Sequence, residues 1–249
     1  MIAPILFAMT AKPATADIVR RSWDQTLVVG HRGAAAYKPE NTLPAFEEAI
    51  ASQAVATECD VHVSQDGELA VMHDATLDRT TSLKGAVKET AMSIMRAAGV
   101  PTLADLTKVT KDRIVLVVEI KEGEGVEQKV VDHLTAEKMV DQTICFSFGA
   151  ERVARVKAAN PDQYSVWLVA KPESPEQVFA RLREIKGDAF GVQYKNATPE
   201  LASAARERKI PMFVWTVPPG PEVDRLKALR VNFIITDHPR DVRAQLTGS

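Results

Sequence analysis

His31 follows the apolar run Leu27-Val28-Val29-Gly30, and His73 follows Leu69-Ala70-Val71-Met72. Imidazole titrates near neutrality, so a pair of histidines can take a proton from one group and return one to another. Between them stand Glu58 and Asp60 at i, i+2, which puts both carboxylates on one face of a strand. Glu119 closes a further apolar run, with Lys121 two residues beyond it on the same face. Carboxylates gathered without a cation repel, and at least one is pushed toward its protonated form. A hard divalent ion relieves that, and all-oxygen ligation suits Mg²⁺ or Ca²⁺. The other reading of the same carboxylates is rim ion pairing with Arg32 and Lys121. Arg32 can fork onto two phosphate oxygens, and Lys121 supplies a point charge.

A turn helps to place these groups. Asp66-Gly67 between two alternating apolar runs signals a β-hairpin. Centred there, the hairpin sets His73 opposite Asp60 without any long-range assumption. His62 shares the alternating face of Asp60 but lies farther along, and reads as a surface histidine. Asp74 and Arg79 read as braces of the hairpin. Glu40 and Asn41 either cap the next helix or reach the site. Trp215 reads as a mouth residue that meets the substrate.

The blocks recur in order along the chain. They are His31-Arg32-Gly33, Pro39-Glu40-Asn41-Thr42, Glu58-x-Asp60-Val61, Asp66-Gly67 and His73-Asp74-x-x-Leu77-x-Arg79-Thr80-Thr81. Pro101-Thr102-Leu103, Glu119-Ile120-Lys121, Ser147-Phe148, Trp215-Thr216-Val217 and Thr236-Asp237-x-Pro239 follow. The ordered set resembles the signature of the glycerophosphodiester phosphodiesterase family, from about Leu27 to Leu246. The resemblance implies a metal-dependent TIM-barrel hydrolase that cleaves glycerophosphodiesters to sn-glycerol 3-phosphate and an alcohol. It implies one divalent cation, Mg²⁺ or Ca²⁺, on Glu58, Asp60 and Glu119, with His31 and His73 as the acid–base pair. Arg32, Lys121 and Trp215 would contact the substrate.

The chain departs from the family pattern at two places. Pro218 stands where the family usually has Asn, and Ser82–Val100 is shorter than the usual insertion over the mouth. A short insertion leaves room for a lipid, with Met92, Ile94 and Met95 as an apolar rim. A phospholipase D-like enzyme acting on lysophospholipids is therefore a second reading. A catalytically silent barrel used as a binding module is a third, and predicts a lost histidine or carboxylate; none is missing.

Positioning these residues requires strands that end near one another. After residue 100, apolar runs at 114–120, 143–148, 164–169, 189–194, 211–217 and 232–236 alternate with helical patterns at 126–137, 150–159, 175–185, 199–208 and 221–229. A short helix is expected over Pro101–Val109 and a longer one over Pro39–Ser52. Such alternation argues for βαβ units around a parallel sheet. An open doubly wound sheet explains the alternation equally well. A closed (β/α)8 barrel also explains why carboxylates fall at several strand ends, which converge on one mouth. The surplus strand is the second arm of the hairpin, an excursion past the rim. The expected organisation is an N-terminal extension, 1–24, and one barrel domain, 25–249.

Length and composition agree with this. The 249 residues suit one such barrel. A net charge of −2 argues against a nucleic-acid partner, and 45% hydrophobic content suits a sizeable core. Cys59 and Cys145 lie in apolar runs and read as buried free thiols. No apolar run reaches a membrane span. The apolar Met1–Met9 with Ala14-Thr15-Ala16 resembles an export signal, but no Lys or Arg precedes it. A cytoplasmic location is the expectation, with export as the alternative.

Overall fold

Runs of Val, Ile, Leu and Phe too apolar to face water become parallel strands buried on both sides. In the computed structural model, which describes residues 14–248, these are β1 (Leu27–Gly30), β2 (Ala56–Val63), β4 (Val115–Ile120), β5 (Thr143–Ser147), β6 (Tyr164–Leu168), β7 (Ala189–Gln193), β8 (Met212–Trp215) and β9 (Phe233–Thr236). β3 (Leu69–Val71) runs antiparallel on β2, outside the closed ring. Pairing of β1 with both β2 and β9 closes the eight parallel strands into a barrel.

The helices are α1 (Thr15–Ser22), α2 (Leu43–Ala51), α3 (Met92–Ala97), α4 (Leu103–Thr110), α5 (Val126–Ala136), α6 (Ala150–Ala159), α7 (Pro175–Ile185), α8 (Pro199–Glu207), α9 (Pro221–Ala228) and α10 (Pro239–Thr247). Proline opens α7 to α10, where its missing N–H costs nothing. α10, which packs on β1, was not anticipated. α4 begins after Pro101 because Thr102 and Asp105 form a reciprocal capping box. α2 begins at Leu43 rather than Pro39, so 39–42 is left as a loop at the mouth.

Alternation sorts the strand residues. Leu27, Val29, Ala56, Val115, Val117, Ile144, Phe146, Phe213 and Phe233 share the barrel interior. Cys59, Val61, Leu116, Val118 and Cys145 face the helices, and both thiols are free and buried. Ile18 of α1 joins the interior cluster, and Thr15 Oγ1 donates to Thr143 O at the start of β5. The described part of the extension thus closes the barrel floor. Met1–Met9 lies outside the described residues. No helix among the described residues is long and apolar enough to cross a membrane.

The hairpin register differs from expectation by one residue. Val61 pairs with Val71, His62 with Ala70 and Val63 with Leu69. The loop holds Gln65, Asp66 and Gly67, not two residues. Ser64 Oγ binds Asp66 Oδ1, Gly67 takes φ 86°, and Asp66 also accepts from Met92 N. Asp60 therefore lies opposite Met72, whose N–H it accepts at 2.9 Å. His73 reaches the site because the chain leaves the ladder after Val71.

Residues 82–100 form no lipid rim. Met92 and Met95 are buried with Ala70, Met72, Leu77, Val87 and Val100 in a small separate core. Only Ile94 of the three expected rim residues is exposed, at 52%. The methionines turn inward with Val87 and Val100 of the same segment, and together they cover the hairpin residues Ala70 and Met72.

Candidate active site

Interior parity continues past the apolar layers. Ala56, Glu58 and Asp60 alternate inward on β2, as do Val115, Val117 and Glu119 on β4, and Asp60 sits beside Glu119 in register. The same parity that fills the floor with Val and Phe therefore ends in carboxylates at the mouth. Ligand oxygens of Glu58, Asp60 and Glu119 all lie within 4.8 Å of one another, and all three residues are buried.

Their protonation shows the strain. Burial and the Asp60 charge push the Glu58 carboxyl up to about 8. Glu119 is likewise raised, by burial and then by Asp60. Burial would also raise Asp60, but Lys121 and Arg32 overcome it and hold the group below the usual range. Lys121 Nζ lies 2.5 Å from Glu119 Oε1 and 3.0 Å from Asp60 Oδ1. Ion pairing and a cation site are thus the same geometry. Glu58 Oε1 is buried and lacks a hydrogen-bond partner. An orphaned buried oxygen beside two further carboxylates fits a hard cation.

Both histidines reach the mouth with one ring nitrogen held by a carboxylate. His31 Nδ1 donates to Asp237 Oδ1 at 2.7 Å, and its Nε2 lies 4.0 Å from Glu58 Oε2. Burial lowers the His31 pKa, but the Asp237 bond and the Glu58 charge outweigh it and leave the ring more basic than usual. His73 Nδ1 pairs with Asp74 Oδ1 at 2.7 Å. Hydrogen bonds from Arg79 hold Asp74 well below the usual carboxylate range. Each imidazole is thereby fixed in one tautomer with Nε2 free for proton transfer.

A charge chain ties the two halves together. Arg79 binds Asp74 and, bidentately, Glu40; Glu40 in turn accepts from Arg32 Nη1 at 2.8 Å. Asn41 donates to Asp60 Oδ2 at 2.8 Å, so it orients that carboxylate. His62, expected at the surface, is 5% exposed, and its Nε2 bonds to the carbonyl of His73 at 3.0 Å. This bond ties it to the His73 loop.

Backbone geometry explains His31-Arg32-Gly33. Arg32 adopts φ 49° and points its N–H at Glu58 Oε2, 2.9 Å away. Gly33 adopts φ 88°, and a Cβ there would come within 2.6 Å of Ala45. Arg32 and Asn41, two of the non-glycine residues in the strained left-handed region, both stand at the site.

The mouth cavity, about 110 Å³, is bounded by His31, Arg32, His73, Lys121, Phe148 and Trp215 around the carboxylates Glu58 and Glu119. All the expected site residues thus converge; Asp60 lies immediately beneath. Phe148 is 47% exposed and meets Trp215 edge-on at 5.5 Å. Pro218 is exposed and outside this lining. Asp237 and Phe148 stood in the ordered blocks and Asp74 was read as a brace, but none of the three was assigned to the site. Asp237 and Phe148 each stand just past a strand end, and Asp74 adjoins His73; that adjacency was the available signal.

The sequence profile of the "Glycerophosphoryl diester phosphodiesterase family" matches residues 31–241. A glycerophosphodiester phosphodiesterase of Caldanaerobacter subterraneus subsp. tengcongensis is 31% identical over 238 residues, 86% of this chain and 95% of that one. One from Bacillus subtilis is 29% identical, covering 87% and 85%. The crystal structure of a glycerophosphodiester phosphodiesterase from Agrobacterium tumefaciens superposes with a TM-score of 0.77 at 27% identity, covering 88% and 99%. An Oleispira antarctica phosphodiesterase, solved in complex with the product sn-glycerol-3-phosphate, has a TM-score of 0.80, covering 91% and 98%; at 20% identity it speaks to the fold alone.

Proposed function

The chain belongs to the glycerophosphoryl diester phosphodiesterase family, and from that premise we propose how it hydrolyses a glycerophosphodiester to sn-glycerol 3-phosphate and an alcohol. The observation that carries the reading is two carboxylate-held histidines facing a buried three-carboxylate cluster. Glu58, Asp60 and Glu119 would hold one divalent cation, Mg²⁺ or Ca²⁺. When bound, it would polarise a phosphoryl oxygen and offset the negative charge of the diester.

The remaining work falls to side chains. Arg32 and Lys121 face the charged phosphoryl oxygens and favour the transition state, where that charge is redistributed. One of His31 and His73 takes a proton from the attacking oxygen. The other returns a proton to the departing alkoxide, so that no free oxyanion leaves. Asp237 and Asp74 keep each Nε2 aimed inward, and Asp237 favours the His31 imidazolium when it forms. Glu40 and Arg79 hold Arg32 and His73 at a fixed spacing, and Phe148 and Trp215 keep bulk water from one side of the mouth.

The product decides it. Incubation with glycerophosphocholine and Mg²⁺ or Ca²⁺ should release sn-glycerol 3-phosphate, read with a coupled dehydrogenase. Release of phosphocholine and glycerol instead would place the cleaved bond on the other side of phosphorus and overturn the assignment.

A further inference from the structure

A second cavity, about 360 Å³, flanks the mouth between the loop 39–42, the loop after β3 and the segment 98–101. It shares one lining residue with the mouth cavity, His73. The Arg32–Glu40 ion pair completes the partition, with Arg32 on the mouth side and Glu40 on the other. We infer that this cleft receives the alcohol half of the diester, and that it favours an uncharged or cationic alcohol over one bearing a carboxylate or phosphate.

The argument rests on the hydrolase reading of the mouth. The mouth cavity is small, about 110 Å³, and its floor is closed by Phe146, Leu168 and Ile235. A substrate with phosphorus at the carboxylate cluster must therefore send one half past its rim. The way past His73 leads into a preformed cleft, and an alcohol leaving that way has its oxygen beside an imidazole.

The lining sets the chemistry. Pro39, Val71, Met72, Val100 and Pro101 give apolar walls, and Thr80 adds a hydroxyl. Among the described residues no lysine or arginine lines the cleft. Its one carboxylate, Glu40, has both oxygens bonded by Arg32 and Arg79. A leaving group bearing a carboxylate or phosphate would meet no unpaired cation and lose its water shell. A methylated or unsubstituted amino alcohol loses less and buries its carbons.

Ala98 lines the cleft but not the mouth, so Ala98→Trp fills the cleft. Thr80→Trp, on an exposed residue of the facing wall, is the second variant should the first not fold. The readout is kcat/KM on glycerophosphocholine, glycerophosphoserine and the methyl ester of glycerol 3-phosphate. The wild type should prefer the choline diester over the serine diester by about 10-fold or more. Filling the cleft should cut choline-diester turnover about 10-fold and methyl-ester turnover less than about 2-fold. Equal loss on both, or no loss on the choline diester, would overturn the inference. A wild type that splits the methyl ester but shows no choline preference would sink the cleft alone. A wild type inactive on all three would remove the hydrolase reading and this inference with it.

Discussion

Glu58 carries an electrostatic cost at the site. Its carboxyl is raised from 4.5 to about 8 by burial and Asp60. A raised acid stabilises the fold below its ordinary pKa, and that contribution is lost as pH climbs through 8. The cation-free protein should therefore lose stability between about pH 4.5 and 8. Glu58→Gln keeps the packing without the titration, so its melting temperature at pH 8 should exceed the metal-free wild type's, by about 2–4 °C per kcal/mol gained. Scanning calorimetry at pH 6 and 8 checks this; an equally steep decline in the variant would contradict it. The histidines give the kinetic counterpart. His31→Ala and His73→Ala should each lower kcat by about 10²–10⁴, and the double variant by much less than the product. Asp237→Asn should shift the pH–rate profile as well as lower kcat, because it replaces the charged acceptor that raises His31 with a neutral amide. A near-normal kcat in His73→Ala would remove that residue from the mechanism.

At the scale of elements, residues 82–100 act as a support. Met95 is fully buried in the small core beneath the His73 loop. Met95→Ala should cost about 2–5 kcal/mol locally and lower kcat by loosening His73, with the affinity for Mg²⁺ unchanged. Isothermal titration beside steady-state kinetics separates the two, and loss of cation affinity would argue against so local a role. This element was also the least legible in sequence. Strand alternation placed the barrel strands to within a residue or two because both faces of each strand are buried, which leaves an uninterrupted apolar run. The hairpin register went wrong by one, since Asp-Gly alone does not reveal that Ser64 and Met92 both engage Asp66 and enlarge the loop. His62 looked solvent-exposed because it lies farther along the hairpin than Asp60, and nothing local reveals that its Nε2 meets the His73 carbonyl. The pairing of Asp237 with His31 stayed hidden because the two are 206 residues apart, and only closure of the barrel brings β9 beside β1.

Across the whole molecule, the barrel does one job that no single element could. Its interior is apolar from Ile18 at the floor up to Phe146 and Ile235, then ends in three carboxylates. Such a cluster persists only if something offsets its mutual repulsion, and Lys121 and Arg32 do so for Asp60 while leaving Glu58 raised. The central claim is that a divalent cation completes this balance and is required for turnover. The direct measurement is release of sn-glycerol 3-phosphate from glycerophosphocholine by chelator-dialysed protein, before and after adding Mg²⁺ or Ca²⁺, with Asp60→Ala alongside. The expected result is no turnover after dialysis, recovery on adding the cation, and no recovery in Asp60→Ala. Full turnover by the wild type in excess chelator would contradict it.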